Sequence, residues 1–145
     1  MDLNAALPFS PVMGRYNPLA PPLQVSLEAE RIVGRVRLQE AHQGLPGLVH
    51  GGVLSAIFGE VLAMATLMAG RPGTVANLNV EFFEPVPLFE ELRFEAWIER
   101  VGRRRVEAHG KCRLGSDLLA EARGSFHGSL PAGGWIRRGV ASASG

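Results

Sequence analysis

One helix-like stretch of the chain carries the residues best suited to chemistry. His50, Gly51 and Gly52 precede a long apolar run that contains a single acid, Glu60. A His-Gly-Gly turn exposes backbone N–H groups at a helix start, where the oxygen of a polarised carbonyl can be bound. Burying an acid in an apolar helix costs free energy, so Glu60 indicates a task beyond packing. Together these residues predict chemistry on a carbonyl compound such as a thioester.

The overall composition narrows the class of protein. The chain has 145 residues, of which 46% are hydrophobic and 20% are charged, and its formal net charge is +1. These values predict one domain with a real core and no nucleic acid or anionic membrane as a partner. The histidines lack metal-ligand spacing, and the single cysteine, Cys112, is expected to be a half-buried strand residue. The N-terminus lacks the pattern of a signal peptide, so we expect a cytoplasmic protein.

The elements that position the helix are predicted from periodicity and from glycine and proline. Residues 1–22 hold five of the ten prolines and predict an N-terminal arm. Two strands within residues 23–38 are expected to turn near Ala29 and Glu30, and a helix is predicted from about Gly52 to Ala69. Four further strands are predicted at Thr74–Phe83, Glu91–Val101, Arg104–Leu114 and Asp117–Phe126.

This order of elements predicts an α+β fold in which one antiparallel sheet of about six strands curls around one buried helix. The domain is expected to span residues 23–128, and residues 129–145 are predicted to be a flexible tail. A single sheet of this kind has open edges, and pairing two of them in a two-fold dimer would cover an edge. We therefore expect a homodimer or a homotetramer.

Four segments resemble the hotdog-fold acyl-CoA thioesterases of the phenylacetate-type group. They are NPLAPP, GLPGLVHGGVLSAIF, NLNVEFFEPVPL and LLAEARGSF. The resemblance implies hydrolysis of an acyl-CoA thioester at a dimer interface, with coenzyme A as part of the substrate and no separate cofactor. It also implies that His50 and Gly51 position the thioester and that a backbone N–H, expected at Gly52, polarises its carbonyl. A carboxylate on the helix, supplied across the interface by the partner subunit, would activate water or attack the carbonyl.

The chain departs from this family at the acid. The resemblance places the acid nine residues after His50, where this sequence has Gly59, and Glu60 follows. One residue along a helix is a rotation of about 100°. Either Glu60 reaches the site through its longer side chain or a local shift, or it is structural and the chain hydrolyses poorly. The family's Ser or Thr on the next strand corresponds to Val75, with Thr74 adjacent.

Two further groups are candidates for substrate binding. Asn77 and Asn79 share one face of a predicted strand, where they either line the cleft or pair across the strand edge. Arg103, Arg104 and Arg105 follow a predicted hairpin turn, where they either bind the phosphates of coenzyme A or form a solvated charged turn.

Three functions are consistent with the sequence. The first is an acyl-CoA thioesterase, the second is a hotdog dehydratase or hydratase acting on a 3-hydroxyacyl thioester, and the third is an acyl-CoA-binding protein without turnover. The absence of an acid at Gly59 favours the third. The acyl group is not specified by the sequence.

Overall fold

The computed structural model describes residues 3–6, 10, 12–14, 17 and 20–128. The tail predicted at 129–145 therefore lies outside the described residues. Two short 3-10 helices occur at Leu3–Ala6 and Glu40–His42, and one α-helix, α1, spans Gly51–Met68. The strands are β1 (Gln24–Glu28), β2 (Arg31–Arg37), β3 (Thr74–Phe82), β4 (Glu91–Val101), β5 (Arg105–Leu114) and β6 (Asp117–His127).

The six strands form one antiparallel sheet in the order β1-β2-β4-β5-β6-β3. The turn between β1 and β2 uses Ala29 and Glu30 at positive φ, 49° and 65°. Both backbones lie in the left-handed region that favours tight hairpins. The predicted fold, one long helix against a six-stranded antiparallel sheet, is confirmed.

α1 is the core of the domain because its apolar side chains pack against the inner face of the sheet. Ile57, Phe58, Val61 and Leu62 have no exposed surface. Gly110 and Gly124 allow this close approach: a Cβ at Gly110 would lie 2.7 Å from Leu62 Cδ1. A larger residue at that position would force the helix away from the strands.

The two edges of the sheet differ in length and exposure. β1 has five residues, whereas β3 has nine, and most residues of β3 are exposed. Val75 and Phe82 are 56% and 47% exposed. A long, open edge strand with exposed apolar side chains offers unpaired backbone groups for a further strand. β3 is therefore the edge of this chain best suited to pairing.

The N-terminal residues that the structure describes pack onto the same core. Leu3, Val12 and Met13 are less than 10% exposed. The side-chain amide of Asn4 donates to Leu23 O at 2.6 Å, and its oxygen accepts from Val25 N–H at 2.9 Å. These two bonds fix the segment beside the start of β1.

Among the described residues, α1 is the one helix whose length and hydropathy would suffice to cross a membrane. The core helix of a soluble domain meets the same test, and 44% of this helix is buried inside the fold.

Candidate functional site at the start of the central helix

The start of α1 is capped by the side chain of His50. Its backbone is extended (φ −64°, ψ 132°), and its Nδ1 accepts a hydrogen bond from Gly52 N–H at 2.8 Å. Because Nδ1 acts as acceptor here, the proton of a neutral imidazole is assigned to Nε2. The His50 side chain is exposed, so this Nε2–H is a donor available to a ligand.

The loop before the helix is fixed by the segment that follows β3. His50 N–H donates to His42 O at 2.9 Å, and Val49 N–H donates to Val86 O at 2.8 Å. Leu48 also forms a β-bridge with Pro87. Through Leu48 and Val49, the Pro-Val-Pro segment therefore supports the loop that leads into the His-Gly-Gly turn.

The first N–H of the helix, that of Gly51, is the one free to bind a carbonyl oxygen. Gly52 N–H is bonded to His50, and the N–H groups of Val53 and Leu54 donate to His50 O. Gly51 N–H has no acceptor among the described residues. This differs from the expectation that Gly52 is the donor, because the His50 ring occupies that N–H. Gly52 is instead needed for space, since a Cβ there would lie 2.9 Å from the His50 ring.

Gly59 faces β3. A Cβ on Gly59 would lie 3.8 Å from Leu78 Cδ2, which is an ordinary van der Waals contact. Gly51, Ser55 and Gly59 follow one another at intervals of four residues and therefore share one side of the helix. We call this side the Gly59 flank. It carries no acid, and a Cβ added to its first member, Gly51, would lie 3.9 Å from the ring of Phe82.

Glu60 lies on a different side of α1. Its Oε2 accepts a hydrogen bond of 2.6 Å from the hydroxyl of Ser10 in the N-terminal segment. Ile57 and Met64 lie one turn before and after it on this side, which we call the Glu60 flank, and both are buried. The structure therefore does not bring Glu60 to Gly51 or Gly59 on the β3 side of the helix.

The strand residues expected to bind substrate are also separated. Thr74 and Val75 begin β3 and pair with His127 and Phe126, whereas Phe82, at the other end of β3, lies beside Gly51. Asn77 and Asn79 point away from α1 because Leu78, between them, faces it. They line a cavity of about 230 Å³ on the outer face of the sheet.

His109 is a buried residue in the lining of that outer cavity, and its role was not predicted from the sequence. Its Nδ1 lies 3.3 Å from Glu99 Oε2, and its Nε2 lies 2.5 Å from Glu121 Oε1. The ring of Trp97 packs against it with centroids 4.8 Å apart. The alternation of β5 could have placed His109 on the outer face, but no sequence signal identifies the two carboxylates.

The predicted arginines lie at the turn between β4 and β5, together with one more, Arg100. Arg100, Arg103, Arg104 and Arg105 line a cavity of about 360 Å³, and we call residues 100–105 the arginine hairpin. Arg71 supports the turn: its guanidinium donates to the backbone oxygens of Gly102 and Arg103 at 3.0 and 3.2 Å, and to that of Gly128. The role of Arg71 was not predicted because its partners are backbone carbonyl groups, which every residue has and which therefore give no sequence signal.

Cys112 is fully buried, and desolvation raises the pKa of its thiol to about 12. A thiol that remains protonated is a poor nucleophile. Among the described residues, no group of three or more His, Cys, Asp and Glu side chains is placed to hold a metal ion.

Comparison with known proteins assigns the chain to a family. Residues 46–121 match the model of the thioesterase superfamily. Mouse (Mus musculus) acyl-coenzyme A thioesterase 13 is 26% identical over 81 residues, which cover 54% of this chain and 58% of the mouse protein. The chain thus spans little more than half the length of this curated relative.

Two solved structures are similar over most of the chain. A thioesterase superfamily protein is 33% identical with a TM-score of 0.78, over 81% of this chain and 62% of its own. A phenylacetic acid degradation-related thioesterase from Ralstonia eutropha JMP134 is 27% identical with a TM-score of 0.64, over 73% and 84%. The resemblance stated from the sequence is confirmed.

Proposed function

The chain belongs to the thioesterase superfamily, and from this premise we propose that it hydrolyses an acyl-CoA thioester to the free acid and coenzyme A. The observation that carries the proposal is the free N–H of Gly51 beside the His50 ring at the start of α1. A helix start adds its positive dipole end to such a donor. The pair is suited to the oxygen of a thioester carbonyl.

The reaction would proceed by attack of water on the carbonyl carbon. The oxygen of the tetrahedral intermediate becomes negative, and Gly51 N–H and His50 Nε2–H would donate to it. Loss of one such donor typically costs about 10²–10³-fold in turnover. The carbon–sulfur bond then breaks, and the sulfur leaves as the thiol of coenzyme A after taking up the proton that the attacking water releases to solvent. The acyl group, now bearing the oxygen of that water, leaves as the carboxylic acid.

The proposed site is completed by a second copy of the chain. Within one subunit, about 26 Å of β3 separates Phe82, beside Gly51, from Thr74, near the arginine hairpin. That span is longer than the pantetheine arm of coenzyme A. If the open β3 edges of two copies pair antiparallel about a two-fold axis, the hairpin of one copy approaches the helix start of the other. The thioester and the phosphates of one ligand would then contact different subunits.

A second candidate function is binding of acyl-CoA with little turnover. It is favoured by the bare Gly59 flank and by the Ser10–Glu60 hydrogen bond, because neither leaves a carboxylate beside Gly51. The expectation that Glu60 activates water remains a prediction.

Release of thiol from a panel of aryl- and medium-chain acyl-CoA compounds tests the proposal. Steady release with saturation supports hydrolysis. Saturable binding of acyl-CoA without release supports the binding protein instead. Loss of the ultraviolet absorbance of a 2-enoyl-CoA, without thiol release, would indicate a hydratase and contradict the proposal. Sedimentation of a stable monomer at micromolar concentration would contradict the two-subunit site.

A further inference from the structure

We propose that Glu60 is a positioning residue whose carboxyl group fixes the N-terminal segment to α1 through Ser10, and that it is not the group that activates water. The statement that Glu60 does not activate water rests on the proposed hydrolase function. The statement that Glu60 fixes the N-terminal segment concerns the fold and can be tested without turnover.

The hydroxyl of Ser10 is fully used in this contact. It donates to Glu60 Oε2 at 2.6 Å and accepts from the N–H groups of Val12 and Met13 at 3.1 and 3.3 Å. A serine hydroxyl has one donor and two acceptor sites, so all three are satisfied. Gly14 N–H also donates to Ser10 O at 2.9 Å. The serine therefore organises a compact turn and ties that turn to the helix.

The turn carries apolar side chains into the core. Val12 and Met13 are 8% and 4% exposed, and they belong to the same buried cluster as Ile57 and Met64 of the Glu60 flank. A carboxyl group in the middle of this flank needs a polar partner, because an unpartnered one would be costly to bury. Ser10 supplies that partner. None of the ion pairs among the described residues includes Glu60, so the hydroxyl is the contact that accounts for its position.

The same geometry removes Glu60 from the proposed reaction. Gly59 faces Leu78 of β3, and the next residue is rotated by about 100°. The side chain of Glu60 extends toward the N-terminal segment of its own subunit, whereas the Cα–Cβ direction at Gly51 points toward Phe82 of β3. A base must come within hydrogen-bond reach of the attacking water, directly or through one water. Glu60 is held on the other flank of the helix, away from Gly51 of its own subunit and away from the β3 edge at which a second copy is proposed to pair.

Two pairs of variants test the contact by amide hydrogen exchange. Ser10→Ala and Glu60→Ala remove the hydrogen bond, so exchange at Val12 and Met13 should accelerate by roughly tenfold or more. Ser10→Thr keeps the hydroxyl and Glu60→Gln keeps an acceptor oxygen, so both should exchange within a few-fold of the parent protein. Equal exchange in all four variants would overturn the positioning role, as would acceleration in Glu60→Gln equal to that in Glu60→Ala.

Turnover of Glu60→Gln tests whether Glu60 activates water. Thiol release should stay within roughly threefold of the parent, against the 10²–10⁴-fold loss expected when a general base is removed. Collapse of turnover with unchanged exchange would show that Glu60 is the catalyst and overturn the proposal. If the parent releases no thiol, the proposed hydrolase function fails, and the exchange experiment still decides the role of Glu60 in the fold.

Discussion

The Gly59 flank and the Glu60 flank of α1 are adjacent in sequence, but they differ in what covers them and in the polar groups they carry. The Glu60 flank is covered by the chain's own N-terminal segment, and its one polar group is hydrogen-bonded to Ser10. The Gly59 flank carries glycine, serine and glycine beside a strand whose edge is open. The difference is that the Glu60 flank is covered within a single chain, whereas the Gly59 flank is where a ligand and a second subunit are proposed to bind.

The largest expected effect comes from giving the Gly59 flank an acid. Gly59→Asp places a carboxylate where the sequence resemblance predicts one, and the Cβ position has room beside Leu78. A general base contributes about 10²–10⁴-fold to a rate, so thiol release should rise by that order if Glu60 is only a positioning residue. The measurement is steady-state release of coenzyme A from acyl-CoA.

Gly59→Asn is the matched control for that gain. Asparagine has the shape of aspartate but cannot take a proton, so it should leave turnover near that of the parent. Unchanged or reduced turnover in Gly59→Asp would contradict the inference that the proposed site lacks a working acid. It would indicate that Glu60 already supplies the acid, since a second carboxylate beside it would raise its pKa.

The next effect tests whether the open edge receives a second subunit. Val75 on β3 and Leu27 on β1 are exposed to nearly the same extent, 56% and 54%, on opposite edges of the sheet. A lysine on an edge strand blocks edge pairing. Val75→Lys should weaken dimerisation by at least about tenfold, or ~1.4 kcal/mol, and Leu27→Lys should not. Analytical ultracentrifugation measures both, and equal behaviour of the two variants would refute β3 as the interface.

The sequence predicted the elements well because their signals are local. Alternation and turn residues placed β4 at the bounds that the structure has, and the apolar run placed α1 within one residue at each end. The departure at Gly59 was also visible in the sequence. The partner of Glu60 was not, because Ser10 lies fifty positions away and a serine–glutamate pair has no pattern. The sequence could not show that Gly51 N–H, and not Gly52 N–H, is left without an acceptor among the described residues, since this depends on which N–H the His50 ring occupies.

A smaller effect is expected from the arginines proposed to bind the phosphates of coenzyme A. Replacing Arg103, Arg104 and Arg105 by alanine should weaken binding of coenzyme A roughly tenfold, equivalent to ~1.4 kcal/mol. It should therefore reduce the rise in melting temperature that the ligand causes. Removing the same number of charges at Arg37, Arg93 and Arg113, at the other end of the sheet, is the control. An undiminished rise in the hairpin variant would place the phosphates elsewhere.

The smallest effect separates two roles of His50, capping the helix and contacting the thioester. His50→Ala removes the acceptor of Gly52 N–H and should lower the free energy of unfolding by about 1 kcal/mol, measured by urea denaturation. His50→Asn keeps a good N-cap and should be nearly as stable as the parent protein. Both variants lack the Nε2–H donor, so both should lose turnover if that donor contacts the substrate. If His50→Asn retains both stability and turnover, the imidazole serves only the loop. Binding of the carbonyl would then depend on Gly51 N–H alone.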